Sequence, residues 1–212
     1  MKRVCLTIMA FLGLILFTSH LNAQGEKKTL TYEKVSEGVI TGKVKHPLIM
    51  RGSPFVVYIE DVPGVNFVPP KDSYVIDVMG MEFVQRILTV QVGSTVECIH
   101  NDKIRHSCFL VDDKGYDLGK DSHGEKHVYT FTQPGVYPIL CRFHREMVAH
   151  IVVVKTPYFA MTDKEGKFTI RDVPPGSYKL KVWGEHLKEK DFNKSFDTNV
   201  SQGNGVHIEI IL

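Results

Sequence analysis

The 212-residue chain is 43% hydrophobic and 24% charged with a formal net charge of +2, which excludes a disordered tail, a collagen-like repeat and a polycation for nucleic acid. That length leaves room for one or two small domains with real cores.

The first residues differ in character from the rest. Met1-Lys2-Arg3 is a short basic start, Val4 to Phe17 is almost unbroken apolar sequence, and Ser19 to Ala23 is polar and ends in a small residue. This is the layout of a secretory signal peptide over residues 1–23, with cleavage expected after Ala23. An uncleaved anchor is the competing reading, but the apolar run is shorter than the roughly twenty residues of a bilayer span. Cleavage removes Lys2 and Arg3 and leaves 24 basic against 24 acidic residues, so neither nucleic acid nor a membrane surface is an expected partner. No second apolar run follows, so no membrane span is expected in the mature protein. Its expected location is periplasmic or secreted, where disulfides are permitted.

Past residue 35 the chain reads as all-β. Segments rich in Val, Ile, Tyr and Phe recur at Gly38–Val44, Phe55–Ile59, Leu88–Val92, Val96–His100, Val128–Phe131, Ala149–Val154, Phe168–Ile170 and Tyr178–Val182. They are separated by turn signals such as Val92-Gly-Ser94, Gln133-Pro-Gly135, Lys164-Glu-Gly166 and Pro174-Pro-Gly176. Helical spacing of apolar residues is not sustained anywhere; Glu185–Lys190 is the best helix candidate, and it is short and polar. Many short strands with Gly/Pro turns point to β-sandwiches.

The strongest chemical signal is Cys141-Arg-Phe-His144-Arg-Glu-Met147, preceded by Asn101-Asp102-Lys-Ile-Arg-His106-Ser107. Copper cycles between a soft monovalent and a harder divalent state. Two imidazoles and a thiolate in a plane, with a weak axial thioether, are a compromise for both. The C-x₂-H-x₂-M spacing suits ligands drawn from one tight loop between a strand over Gly135–Leu140 and a strand over Val148–Val154. His106, at the start of a neighbouring strand, supplies the second imidazole. A haem attachment motif would need another Cys, and zinc has little use for Met. The expected metal set is therefore His106, Cys141, His144 and Met147, with one type 1 copper ion.

Residues 81–154 resemble the plastocyanin/amicyanin branch of the cupredoxins, on Met81-Glu-Phe83, Val92-Gly-Ser-Thr-Val-Glu97, the two segments above and Pro134-Gly-Val-Tyr137. Across nearly the whole mature chain the likeness is to bacterial methylamine utilisation or plastocyanin-like proteins, including the run Pro157-Tyr-Phe-Ala160. Many of these have Pro where this chain has Arg145. The resemblance implies that Ser107 donates toward the Cys141 sulfur and that Asn101 supports the ligands from behind. It puts His144 at the exposed edge of the site, where Arg142 and Arg145 could dock an acidic redox partner protein. Cys98 and Cys108 occupy positions that are apolar core in the resemblance. They read as an inter-sheet disulfide or as two buried thiols, the disulfide being preferred. His123 and His127 read as a solvated loop, and His100, His150, His46, His186 and His207 receive no role.

The flanks resemble the carboxypeptidase regulatory-like (transthyretin-like) β-sandwich, on Asp163-Lys-Glu-Gly-Lys-Phe168 and Val173-Pro-Pro-Gly-Ser-Tyr178. Two arrangements fit. In the preferred one, residues 35–70 are the first strands of that sandwich, 72–155 an inserted cupredoxin domain, and 156–212 the remainder. In the other, residues 35–70 add strands to the cupredoxin. The expected fold class is all-β, a cupredoxin Greek-key sandwich combined with a smaller second sandwich. The function expected is one-electron transfer rather than enzymatic turnover, since no catalytic constellation is legible. Copper binding and delivery, and a non-redox binding module, are the alternatives.

Overall fold

The structure, a computed structural model, describes residues 38–111, 116–121 and 126–212, the segment 116–121 as backbone alone. The expected signal peptide over 1–23, and His123, lie outside these residues. Among the described residues the regular structure is almost wholly β-strands. In order they are β1 (Gly38–Lys45), β2 (Phe55–Ile59), β3 (Tyr74–Met79), β4 (Glu82–Phe83), β5 (Ile87–Gln91), β6 (Thr95–His100), β7 (His106–Leu110) and β8 (Tyr116–Asp121). There follow β9 (Lys126–Thr130), β10 (Gly135–Leu140), β11 (Val148–Val154), β12 (Phe159–Met161), β13 (Lys167–Val173), β14 (Gly176–Gly184), β15 (Phe196–Val200) and β16 (Val206–Ile211). The helices α1 (Pro47–Met50) and α2 (Glu189–Phe192) are single turns. The polar excursion expected to be helical is thus mostly turn, with α2 starting at its end.

Four sheets form, in the strand orders β13-β1-β16, β12-β2-β14-β15, β5-β11-β10-β7-β8 and β4-β3-β6-β9. The first two enclose a core of Ile40, Phe55, Val57, Ile170, Leu180 and Ile210, among others. The last two enclose another core, with Ile76, Val90, Cys98, Cys108, Ile139 and Ile151. The chain therefore leaves the first pair of sheets after β2, builds β3 to β11 into the second pair, and returns at β12.

A third, smaller cluster joins the two pairs. Val56 and Tyr58 of β2, Phe159 of β12 and Trp183 of β14 meet Val152 and Val154 of β11 and Ile87 of β5. This explains why β2 and β11 read as near-continuous apolar runs rather than alternating ones. Ala149, Ile151 and Val153 face one core while Val152 and Val154 face the joint, so β11 is buried on both sides. Full burial of a valine side chain contributes about 1.5–3 kcal/mol, so a handful of such residues makes a substantial joint.

The two P-G-x-Y motifs do the same mechanical work in the two sandwiches. Tyr137 donates its hydroxyl to the Gln133 carbonyl at 3.0 Å, and Tyr178 to the Pro174 carbonyl at 2.8 Å. Each ring thereby pins the turn that precedes its own strand. In the turn before β13, the Asp163 carboxylate accepts from the Glu165 and Lys167 amides at 3.0 and 2.8 Å. Gly166 there has φ +82°, and a Cβ on it would run into the Val44 carbonyl.

Candidate metal centre

The loop 141–147 is short enough to be closed by its own backbone. The Met147 amide donates to the His144 carbonyl at 3.1 Å, and the Cys141 amide to the Met147 carbonyl at 3.2 Å. This folds Cys141 and Met147 inward and leaves Arg142, Phe143, Arg145 and Glu146 outside. His106 enters from the first position of β7, which lies beside β10 in the same sheet.

These elements bring three donors together. Cys141 Sγ is 3.5 Å from His144 Nδ1 and 4.0 Å from His106 Nδ1, and the two imidazole rings are 4.9 Å apart. An ion bonded at about 2.0–2.3 Å to each of three donors in a plane would hold them about 3.7 Å apart. The residues present therefore fit a metal ion, and one thiolate with two imidazoles is the in-plane set that suits copper. Met147 is 2% exposed and packs in the same core as Cys141. It stands on the interior side of the loop. His106 is fully buried, while His144 is partly open to solvent.

Asp102 is the contributor that the sequence did not single out. Its Oδ2 lies 3.1 Å from His106 Nε2 and also accepts from the Met81 amide at 3.0 Å. The carboxylate thus takes the ring nitrogen turned away from Cys141, which fixes the ring's orientation and leaves Nδ1 facing the sulfur. Its pKa is lowered to about 2 by the Met81 amide first, then by the His106 ring and nearby backbone amides, so it stays charged. An acidic residue four positions before a candidate ligand histidine was the available signal.

Ser107 and Asn101 sit differently from each other. Ser107 is buried, and its Oγ accepts from the Arg142 amide at 2.9 Å, tying β7 to the residue after Cys141. Asn101 is exposed, and its side chain donates to Asp77 at 2.8 Å, bracing the β3–β6 edge rather than the sulfur. Around the loop, the Arg142 guanidinium lies over the Phe109 ring at 4.3 Å and Arg105 over Phe143 at 4.8 Å. Arg142 and Arg145 are both exposed on this rim. Cys98 and Cys108 are buried with their sulfurs joined and Cα atoms 6.7 Å apart. His100, given no role from sequence, lies against both sulfurs; it stands two positions after Cys98 on the same face of β6, and that spacing was the missed signal.

Residues 71–154 match the family model of copper binding proteins, plastocyanin/azurin family, so the middle of the chain is a cupredoxin domain. Residues 153–206 match polysaccharide lyase family 4, domain II, a different description from the carboxypeptidase regulatory-like resemblance of these strands. Similar solved structures include a reduced tryptophan-to-tyrosine variant of amicyanin, 25% identical over 40% of this chain and 84% of that chain, with TM-score 0.38. An oxidised proline-to-alanine variant of amicyanin is 27% identical over 38% of this chain and 81% of that chain, with TM-score 0.37. No curated protein sequence matches the chain.

Proposed function

We propose that this chain is an exported type 1 copper protein that carries one electron at a time between partner proteins. His106, Cys141, His144 and Met147 would hold a single copper ion. The observation that carries this reading is the convergence of two Nδ1 atoms on one buried thiol, within a domain of a copper-binding family. Bound copper would supply the one-electron couple.

The chain's own residues do the rest. Asp102 holds His106 in one orientation, and Ser107 ties the Cys141 loop to β7, so the donors need not rearrange between oxidation states. Burial of Cys141 and Met147 keeps water off the thiolate. The partly open His144 edge would be the exit for the electron, and the exposed Arg142 and Arg145 would favour an acidic redox partner. We further assign 1–23 to a cleaved signal peptide, 72–155 to the cupredoxin domain, and 35–70 with 156–212 to one carboxypeptidase regulatory-like sandwich. The pairing of β1 with β13 and β16, and of β2 with β12 and β14, supports the last assignment. Among the described residues no helix is long and apolar enough to cross a membrane.

The test is the visible spectrum of the mature chain with Cu(II), beside Cys141→Ser. An intense blue thiolate-to-copper band that is lost in the variant is expected, with metal retained through repeated oxidation and reduction. A colourless chain that binds only monovalent copper would instead indicate copper delivery.

A further inference from the structure

A second group of soft donors lies one imidazole away from the first. Cys98 and His100 are two apart on β6 and share its inward face, and Cys108 follows His106 by two on β7. All three are buried, at 2%, 1% and 0% exposure. His100 Nε2 is 3.9 Å from Cys98 Sγ and 3.7 Å from Cys108 Sγ, and the three ligand atoms all lie within 4.8 Å of one another. The His100 ring stacks on His106 at 6.5 Å and 30°.

A disulfide alone would account for the two cysteines, but it makes no demand for an imidazole at both sulfurs. An apolar core makes no demand for any of the three. We propose that Cys98, His100 and Cys108, in the dithiol state, form a second metal site for a soft d10 ion, monovalent copper or zinc. Two thiolates and an imidazole are the donor types such ions select. The site would be a closed one, since every donor is buried. Zinc prefers a fourth ligand. His127 pairs with Cys98 in the β6–β9 register, and its ring lies 6.2 Å from that of His100, which makes it the nearest further imidazole among the described residues.

The joined sulfurs of this structure are the closed state of that site. Opening it requires an external dithiol, which gives two electrons and two protons to the S–S bond and leaves as its own disulfide. Binding of the ion then releases the two thiol protons to solvent. Metal uptake here is thereby conditional on the redox state of the cysteine pair, whereas uptake at Cys141 is not.

The experiment uses the full mature chain carrying Cys141→Ser, which removes the thiolate of the first site. It is reduced with dithiothreitol, desalted without oxygen, and titrated with Cu(I) and separately with Zn²⁺ against chromophoric chelators. About one ion per chain is expected in the reduced form and none in the oxidised form, and the metal taken up identifies the ion. His100→Phe should weaken binding at least tenfold while both thiols still titrate. X-ray absorption of the loaded Cys141→Ser chain should show two sulfur ligands at about 2.3 Å and nitrogen at about 2.0 Å, whether or not the His100 variant folds. Uptake of neither metal by the reduced chain, undiminished binding in His100→Phe, or a ligand shell without sulfur would each overturn the proposal.

Discussion

The His106 ring is held from two sides, by the Cys141 sulfur at Nδ1 and the Asp102 carboxylate at Nε2. Removing the outer partner should therefore weaken metal binding without removing a ligand. For Asp102→Ala we expect copper affinity to fall about 10–100-fold, the usual cost of losing a group that orients a ligand histidine. Competition against a chelator measures it, and an affinity equal to that of the parent chain would exclude an orienting role. At this scale the sequence was legible where residue type and spacing are diagnostic. Cys141, His144 and Met147 fall in one loop, and His106 heads a strand beside it. It was least legible where a role depends on which of two neighbours turns inward. Asn101 and Asp102 are adjacent, yet only Asp102 reaches the ring, because the chain turns sharply between β6 and β7 and aims one side chain at Asp77. His100 was passed over although Cys98 stands two positions before it on the same strand, because the other sulfur it meets, Cys108, comes from β7.

Strands held by turns of fixed chemistry should be sensitive to the turn and less so to the strand. Gly166→Ala places a side chain at φ +82° against the Val44 carbonyl, combining a left-handed backbone cost of about 1–2 kcal/mol with a clash. Tyr178→Phe loses the bond to Pro174, worth about 0.5–1.5 kcal/mol. Urea midpoints should fall in both variants and further in Gly166→Ala, with unchanged slopes; the reverse order would mean that the turn has room to relax. Both positions lie in motifs visible in the sequence because turn chemistry is local. Among the elements that escaped reading were β3, β4, β12, β15 and β16. Their inward residues are interleaved with Asp, Asn, His and Glu, or their strand is only a few residues long, so apolar content alone did not mark them. The strands β2 and β11 were visible for the opposite reason, since burial on both faces makes them apolar throughout.

The joint between the two sandwiches combines the Val56–Val152–Val154 cluster with a charged clamp at its margin. Arg86 donates from Nε and Nη2 to the two oxygens of Glu185, each at 2.7 Å, and the His150 ring lies 5.1 Å from Trp183 beside it. Burial pushes the Glu185 carboxyl up, but the hydrogen bonds and charge of Arg86, with His150 and His186, outweigh it and leave its pKa lowered. Burial above all lowers that of His150, helped by the Arg86 and His186 charges against the pull of Glu185. Both groups thus have folded-state values below their unfolded ones. Each contributes stability that is present above the unfolded value and is lost as pH falls through the folded one, His150 first and Glu185 in more acid solution. Arg86 is half exposed, so the clamp's contribution is screened and should amount to no more than about 1 kcal/mol at neutral pH. Glu185→Gln should accordingly be less stable than the parent chain at pH 7, and the difference should close as acid protonates Glu185. Paired urea titrations from pH 7 downward isolate this term, because the other carboxylates are common to both chains. A gap that stayed constant with pH would show that the ion pair adds nothing and that the apolar cluster holds the two sandwiches together without it.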